Sequence, residues 1–550
     1  MTLRTRRIIF YSFVFFFFVV GFVVVFYSQG WRINIKNCNI EDLLRNKDLF
    51  RGLKDCEIAV QKIGAIFIET KPKGVVIKIN NKIFKDKSGL IQSGTLINNL
   101  LPKTYHLKVE KDGYLPWIKN AVVESGLVTE FPFIVLIPQE IKKNSLTFSK
   151  TINNFWLNPQ QKIVFKSNDH LYFYSGPLEV EQNFLVLTNK LKGNEFVVWS
   201  EDNNKIIVRD FRNQTYYLYE LNNLSRAINI NAAFNNFKKT GIAEVVFYPL
   251  ESNRLIVKDK NNFLYILDFN HLQLENLIKE PVINWTIKSP NLYYIKAQTN
   301  ADGTQTNAEI NKAQTNAEKG LRESALSLPR SDAERLLRGP RESAYILVSF
   351  NLITKTENFT IDLPPQLINQ EILEIDVSGN KIAILTLEGG LYIFNQTTRE
   401  FNQIAHSAEK FVFSPDNKKI AFLDKDGKLN IYFLEDYQKG IHKKAGEVIS
   451  FDFYRGMSVK NIFWYKDSNH LFVQAQTNAE VNKAQTNAEK SQRESAFSQR
   501  ESVFLDFIEL DDRLPINKYT LAEEISNSYY EPTSNRLYFV ENNKLSFIEF

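Results

Sequence analysis

The chain has 550 residues, of which 44% are apolar and 24% are charged, and this balance excludes a mainly disordered protein. The net charge of +6 comes from 68 basic and 62 acidic residues, which is too balanced for a dedicated nucleic-acid-binding protein. Two cysteines exclude a zinc site built from cysteines and a disulfide-rich scaffold, and the length implies either several domains or a small domain beside a large repeat array. The 43 Phe and 23 Tyr against 2 Met favour β-structure.

Residues 8–27 predict a transmembrane helix. This stretch carries no charge, and its length of about 20 residues matches a hydrocarbon core of about 30 Å. Three arginines precede it: Arg4, Arg6 and Arg7. The positive-inside rule then places residues 1–7 in the cytoplasm and the rest of the chain outside. The alternative is a cleaved signal peptide, but Tyr27-Ser28-Gln29-Gly30-Trp31 is a poor cleavage site. We therefore predict a single-pass protein of the cell membrane.

A charged connector follows over residues 28–63. Within it, the spacing of apolar residues from Ile40 to Leu53 predicts a short amphipathic helix. Cys38 and Cys56 bracket that helix, and outside the cytoplasm they have the spacing for a disulfide that closes a loop of about 20 residues and contributes about 3 kcal/mol. Two small buried thiols are the alternative, and the spacing does not choose between them.

Residues 64–138 predict a compact β domain. A strand, the turn Lys71-Pro72-Lys73-Gly74 and a second strand come first. In the next segment Tyr105, Leu107 and Val109 alternate with polar residues, which is typical of a half-buried strand. Asp112-Gly113 then predicts a tight turn.

The order of these residues resembles the PEGA domain. The matching positions are Pro72, Gly74, Pro102, Tyr105, Gly113, Tyr114 and Trp117, and the departures are Lys73, Val75, Asn81 and Lys103. The resemblance implies a small β-sandwich-like module outside a bacterial or archaeal membrane, a location in the cell envelope and no catalysis. Because the family's Pro, Gly, Tyr and Trp positions are structural, it supplies no site residue.

From residue 141 to residue 550 a turn, a strand, a short turn and an aromatic-rich strand recur eight times. The copies begin at Leu157, Trp199, Tyr248, Lys288, Asp376, Phe413, Trp464 and Tyr530. Uninterrupted copies lie about 37–52 residues apart, the period of a four-stranded propeller blade. The pattern resembles the TolB-like and WD-type β-propellers. The predicted fold is therefore mainly β: a single N-terminal transmembrane helix, a small β-sandwich-like PEGA domain and a seven- or eight-bladed propeller.

Two low-complexity insertions interrupt this region, at residues 297–344 and 475–502. Both share AQTNA and RES elements and show no strand pattern, so disordered loops are expected. Each begins after one strand of its repeat and ends before the next, which predicts the same hairpin tip in two blades. A paired partner-binding arm is one interpretation. The favoured one is a duplicated repeat, tolerated where a longer loop costs little.

Catalytic motifs are absent from the sequence, which contains no G-x-S-x-G, H-E-x-x-H, G-x-G-x-x-G or Walker A pattern. The six histidines are scattered, and Asp424 to Gly427 predicts a hairpin turn and not a calcium loop. The carboxylate pairs Glu371/Glu374, Asp511/Asp512 and Glu523/Glu524 are interpreted as solvated faces. We predict no catalytic, cofactor-binding or metal-binding residue, and no cofactor.

The predicted function is that of a membrane-anchored binding protein of the cell envelope. Its propeller would present a surface to an envelope protein or glycan, and no nucleic acid is expected as a partner. One alternative is an extracytoplasmic propeller enzyme that acts on envelope glycan or peptide, and another is a purely structural component of a surface layer. The prediction is that the protein is not an enzyme.

Overall fold

The computed structural model describes residues 3–28, 30–36, 57–88, 93–146, 148, 150–168, 170–174, 185–186, 195–210, 214–239, 241–297, 345–367, 370–477 and 502–550. Residues 37–56, with both cysteines and the amphipathic helix predicted between them, lie outside these residues, as do residues 298–344 and 478–501.

The chain begins with helix α1, Leu3–Ser28. It starts five residues before the predicted span and so includes the three arginines. Its side chains from Ile8 to Tyr27 are largely exposed, because nothing else in the described chain packs along it. Among the described residues it is the one helix long and apolar enough to cross a membrane. A hairpin of β1 (Trp31–Lys36) and β2 (Glu57–Lys62) follows it.

Two small sheets form the domain after the helix. The first has the strand order β6-β3-β9, with β9 parallel to β3, and the second has the order β5-β4-β7-β8. The bounds are β3 Gly64–Lys71, β4 Val76–Ile79, β5 Lys82–Lys85, β6 Thr95–Leu100, β7 Lys103–Glu110, β8 Trp117–Val123 and β9 Val128–Val135. Alternate residues of these strands meet in one core that includes Ile66, Ile77, Leu107, Trp117 and Phe131. We call this unit the small domain.

Eight four-stranded antiparallel sheets make up the rest of the chain, so the count is eight blades and the seven-bladed alternative is wrong. Blades 1 to 4 are β11–β14 (Asn154–Leu157, Ile163–Ser167, His170–Tyr174, Leu185–Val186), β15–β18 (Glu195–Trp199, Lys205–Asp210, Thr215–Glu220, Asn223–Asn229), β19–β22 (Ile242–Phe247, Arg254–Asp259, Leu264–Asp268, Gln273–Asn276) and β23–β26 (Val282–Lys288, Asn291–Ala297, Tyr345–Asn351, Thr356–Asp362). A short helix α2, Ile230–Asn235, joins blades 2 and 3.

Blades 5 to 8 continue in the same manner. They are β27–β30 (Ile372–Ser378, Lys381–Thr386, Leu391–Asn395, Glu400–Ala405), β31–β34 (Ala408–Phe413, Lys419–Asp424, Leu429–Phe433, Val448–Phe451), β35–β38 (Met457–Trp464, His470–Thr477, Val503–Glu509, Lys518–Glu523) and β39–β41 (Ile525–Glu531, Arg536–Glu541, Lys544–Glu549), the last completed by β10 (Asn144–Ser145). The 3₁₀ turn Pro365–Leu367 joins blades 4 and 5.

The blades close into a ring. Each neighbouring pair shares an apolar core, from blades 1 and 2 round to blades 8 and 1. Strand β10 closes the circle by pairing Ser145 with Ser546 of β41, and the Leu146 amide donates to the Leu545 carbonyl at 2.8 Å. A closed ring buries both faces of every sheet against its neighbours and leaves only short, protected strand edges.

The turns between the first and second strands explain why the repeat folds this way. In blade 6 the Ser414 hydroxyl donates to Asp416 at 2.5 Å and accepts from the Lys419 amide at 2.9 Å. In blade 2 Ser200, Asp202 and Lys205 repeat both bonds. Asn417 and Asn203 take the positive φ that each turn needs.

The small domain docks on blades 6 to 8. Its contact strand is β8. There the Trp117 indole donates to the Glu509 carboxylate at 3.1 Å, and the backbone N–H of Asn120 donates to the Leu514 carbonyl at 2.8 Å. Ile137 enters the core shared by blades 7 and 8. These contacts lie at the turns that join first to second and third to fourth strands. The strand ends that flank the two insertions, at Ala297 and Tyr345 in blade 4 and at Thr477 and Val503 in blade 7, join second to third strands and so lie at the opposite face of the ring.

Candidate ligand site in the propeller channel

The first strand of each blade lines the central channel. Hydrogen bonds from one first strand to the next show this position: the Asn284 amide of blade 4 donates to the Ile372 carbonyl of blade 5 at 3.0 Å. The Lys410 ammonium of blade 6 likewise donates to the Val459 carbonyl of blade 7 at 2.7 Å. Burial lowers the pKa of Lys410. The first strands are therefore the innermost ones.

Six of these inner strands carry a β-bulge near one end. In blades 3 to 7 the register shifts just before a polar residue, and these residues are Glu244, Asn284, Glu374, Lys410 and Asn461; in blade 8 the shift spans Asn527. A bulge turns the strand and re-aims the side chain beside it. The repeat thus places a polar side chain at an equivalent position of the inner strand in each of these six blades.

Blades 7, 8 and 1 form a distinct sector of that wall, which we call the aromatic sector. Each carries an Asn followed two residues later by an aromatic residue: Asn461 and Phe463, Asn527 and Tyr529, Asn154 and Trp156. All three aromatic side chains are half-buried on inner strands, and each packs against the apolar core between two blades. The Phe463 and Tyr529 rings lie edge to face, with centroids 6.2 Å apart.

The polar groups of the aromatic sector differ in whether they have a hydrogen-bond partner. The Asn527 amide donates to Asn154 Oδ1 at 2.6 Å, and the Asn461 amide donates to Gln474 Oε1 at 2.8 Å, so the asparagines hold neighbouring strands together. In contrast, neither the Trp156 indole nitrogen nor the Tyr529 hydroxyl has a hydrogen-bond partner within the described part of the chain. Burial raises the pKa of Tyr529, so its hydroxyl stays protonated and can donate at neutral pH.

The wall of blades 3 to 5 carries three carboxyl groups, with Lys258 near Glu244 and Lys288 near Asp376. Glu244 accepts a hydrogen bond from the Trp285 indole at 2.8 Å, and Glu374 and Asp376 follow on blade 5. Burial raises the pKa of both blade-5 carboxyl groups, and Asp376 adds to the rise at Glu374. The channel therefore places apolar ring surface and free donors opposite carboxylate acceptors. This combination suits a ligand with apolar faces and many hydroxyl or amide groups.

A cluster of buried charges lies where the small domain docks. Lys119 is fully buried and donates to the carbonyls of Asp511 and Arg513, each at 2.7 Å, while its ammonium lies 3.3 Å from Glu509. Burial raises the pKa of Glu509, although Lys119 opposes that rise. Asp511 is buried too and is paired with Arg513, so its interpretation as a solvated carboxylate is wrong. We call this cluster the docking cluster.

Other residues singled out in the sequence have structural roles. His470 is buried, with its ring stacked on Phe507 at 4.7 Å and Nδ1 2.7 Å from Asp467. Asp424 Oδ1 accepts from the amides of Asp426 and Lys428, which confirms the predicted hairpin turn. Across the residues that the structure describes, no group of three or more His, Cys, Asp or Glu side chains could hold a metal ion. Cys38 and Cys56 lie outside those residues, so their pairing stays a prediction.

The sheet topology defines a closed eight-bladed β-propeller that carries a small β domain and an N-terminal apolar helix. No family model matches the sequence. No curated protein matches it either.

Similar solved structures are propellers of low sequence identity. BamB from Moraxella catarrhalis is 10% identical, with a TM-score of 0.40 over 75% of this chain and 99% of that one. The Cps50 (Swd1) β-propeller domain of Myceliophteria thermophila is 10% identical, with a TM-score of 0.36 over 75% and 100%. An oligogalacturonate lyase in complex with manganese is 11% identical, with a TM-score of 0.35 over 75% and 98%.

Proposed function

We propose that this protein is a membrane-anchored binding protein of the cell envelope that takes its ligand at the aromatic sector of the propeller channel. The observation that carries the proposal is the repeated Asn-x-aromatic pair on three successive inner strands. Half-buried rings with unpartnered donors on a rigid ring form a pre-organised surface, which limits the entropy lost on binding.

A glycan is the ligand class that we propose for this surface. The apolar faces of sugar rings pack on aromatic rings, and their hydroxyl groups bond to donors such as the Trp156 indole and to acceptors such as Glu374. An envelope protein inserting a polar loop is the other class that fits the same groups. We favour a glycan over a protein loop because a sugar ring has both apolar faces and hydroxyl groups. It can therefore contact the aromatic wall and the carboxylate wall of the channel at the same time.

The test measures binding of soluble oligosaccharides to the full-length protein in detergent micelles. Neutral β-linked hexosamine and hexose oligomers are titrated in turn, with calorimetry as the readout. We expect at least one class to bind, and Trp156→Ala to weaken it by about tenfold or more, equivalent to about 1.4 kcal/mol. Phe401→Ala is the matched control, since Phe401 is a half-buried ring on the outermost strand of blade 5. Equal binding by both variants would refute the site.

Anchoring and topology belong to the same proposal. The apolar helix α1 with its preceding arginines supports an uncleaved anchor with the propeller outside, and the resemblance of the small domain to the PEGA domain supports the envelope location. An N-terminal epitope tag tests this: we expect it to remain on the full-length chain in the membrane fraction. Protease added to intact spheroplasts should then digest the propeller. A tag-free mature chain would indicate a signal peptide, and a protected propeller would indicate the inverse topology.

A propeller enzyme is the second candidate function. The specific observation that favours it is the raised pKa of Glu374 and Asp376, because a raised pKa lets a carboxyl group hold its proton to a higher pH, as general acid catalysis requires. The prediction remains that the protein is not an enzyme. Incubating a bound oligosaccharide with the parent and with Glu374→Gln distinguishes the two: shortening of the oligomer by the parent alone would establish catalysis.

A further inference from the structure

The small domain has one end that faces away from the propeller. Strand β3 starts there at Gly64, which pairs with Leu100 at the end of β6, and the next residue pairs with Val128 at the start of β9. Strand β7 also starts at this end, where Lys103 pairs with Val123. The contacts to blades 6 to 8 lie further along these strands, at Trp117 and Asn120 of β8 and at Glu130 of β9. We call the free end, with its turns at 100–103 and 124–127, the distal end.

Helix α1 stops directly against the distal end. The Gly30 amide donates to the Tyr27 carbonyl at 3.1 Å, the Ile63 amide donates to the Gly30 carbonyl at 2.9 Å, and the Gly126 amide donates to the Ile63 carbonyl at 2.8 Å. A Cβ atom added to Gly30, which has φ +84°, would lie 3.4 Å from Gly126 Cα. The last turn of the apolar helix and the turn at 124–127 are therefore immediate neighbours.

Four large apolar side chains are exposed at this end. Leu127 is 56% exposed and Val128 44% exposed beside the helix terminus, and Val122 on the adjoining strand is 52% exposed. Thr129 donates to the Val122 carbonyl at 2.6 Å, which holds these strands together. Leu101 is 44% exposed at the tip of the neighbouring turn. Leu and Val grouped at one end of a small domain, next to an apolar helix, mark a contact surface.

Aromatic and cationic side chains surround the junction between helix α1 and the distal end. The Trp31 ring stacks on Phe26 with centroids 5.5 Å apart, and the Arg32 guanidinium lies 3.4 Å from the centre of the Tyr27 ring. Lys62 lies 5.9 Å from the Trp31 ring. Trp, Tyr, Lys and Arg are the residues that occupy the headgroup region of a bilayer, with apolar side chains reaching below it.

We propose that the distal end of the small domain lies on the membrane, with Leu101, Val122, Leu127 and Val128 inserted among the lipid headgroups. The inference rests on the proposed anchor, because the helix brings this surface to the bilayer. The lipid bilayer is the occupant that fits, since the exposed residues continue the apolar surface of the helix and the flanking cations complement anionic headgroups. The contact would fix the orientation of the ring and hold its channel at a set height above the membrane.

The experiment reconstitutes the full-length protein in vesicles of phosphatidylcholine and phosphatidylglycerol. Leu127→Cys is labelled with an environment-sensitive fluorophore in a chain whose Cys38 and Cys56 are replaced by Ser, and part of the lipid is then exchanged for lipid brominated along the acyl chain. An apolar surface that enters by about 5–10 Å should bring the probe within reach of the quencher, lowering its emission by roughly twofold. Leu272→Cys is the matched control, because Leu272 is also more than half exposed but lies on blade 3.

The outcomes separate this inference from the anchor. Co-flotation of the protein with the vesicles, quenching at Leu127→Cys and none at Leu272→Cys would support the contact. Co-flotation without quenching at Leu127→Cys would overturn the contact and leave the anchor intact. Failure to float would overturn the anchor and the contact together. A further variant, Leu101→Asp, should reduce the quenching at Leu127→Cys, since it places a charge in the headgroup layer; unchanged quenching would count against a lipid contact at that turn.

Discussion

Replacing Lys119 by methionine should loosen the small domain from the propeller. The Lys119 ammonium is buried and satisfies two carbonyl groups and the Glu509 carboxylate in the docking cluster. Methionine fills a similar volume and provides no donor. The variant leaves Glu509 with the Trp117 indole and the Asn517 amide as its remaining donors. Breaking a buried ion pair by removing one partner costs about 3–5 kcal/mol, since the other charge stays buried.

The loss should depend on pH, and its sign follows from Glu509. Burial already raises the pKa of this carboxyl group, and without the Lys119 cation the pKa rises further. A group with a raised pKa in the folded state holds its proton more tightly there than in the unfolded chain, so stability falls as pH rises through the interval between the two values. The variant should therefore lose up to about 1.4 kcal/mol per pH unit relative to the parent above the parent's Glu509 pKa.

Amide hydrogen exchange of the full chain in micelles measures the effect locally. At pH 8 the peptides that span 116–123 and 509–517 should lose protection by about a hundredfold or more, the equivalent of about 3 kcal/mol. The loss should be smaller at pH 5, and the double variant Lys119→Met/Glu509→Gln should recover most of the protection at pH 8. Lys85→Met, on an exposed strand, is the control. Equal losses at both pH values would refute the assignment of the cost to an unpaired Glu509.

Three further predictions concern the ring and the small domain. Leu545→Ala in the closing strand should destabilise the propeller by about 2–5 kcal/mol in thermal unfolding, because Leu545 is fully buried, whereas Lys544→Ala beside it should have little effect. Deleting residues 298–344 and 478–501 together should leave the melting midpoint within a few degrees of the parent, since the entropy of loop closure changes by only about 0.6 kcal/mol per doubling of length; collapse of the fold would contradict this. Asp86→Asn should cost about 1 kcal/mol at pH 7 and nothing near pH 2. Burial alone would raise the Asp86 pKa, but bonds from Ser88, Gly74 and Thr95 outweigh it and lower the pKa to about 2, so the stability that it adds above about pH 4 disappears as pH falls.

The repeat could be predicted because each blade's second and third strands are almost fully buried. In sequence these strands appear as apolar runs such as Ile382 to Leu385 and Leu391 to Phe394, and a strong turn signal precedes each of them. The fourth strands could not be located in the same way. Strands such as Gln273–Asn276 and Glu400–Ala405 lie on the outer edge, are largely exposed and show no apolar alternation. The apolar sequence pattern of a strand arises from its burial, so strands that are largely exposed show little of this pattern.

The candidate sites were beyond sequence reasoning for a different reason. Lys119 and Glu509 are separated by about 390 residues and meet only when the small domain docks on the closed ring. The Asn-x-aromatic pairs at Asn154, Asn461 and Asn527 are visible in the sequence, but blade 1 becomes a neighbour of blade 8 only when the ring closes. That adjacency exists because β10 pairs with β41.

Ring closure also has a consequence for biosynthesis. Ser145 and Ser546, which meet in the closing blade, are 401 residues apart. At about 5–20 residues per second, a ribosome needs about 20–80 s to make the interval between them. During that time blade 1 presents the apolar side chains that later pack on blade 8, such as Phe155 and Phe165, to its surroundings. We therefore expect the nascent chain to expose this apolar surface, and to need protection from aggregation, until the last blade is complete.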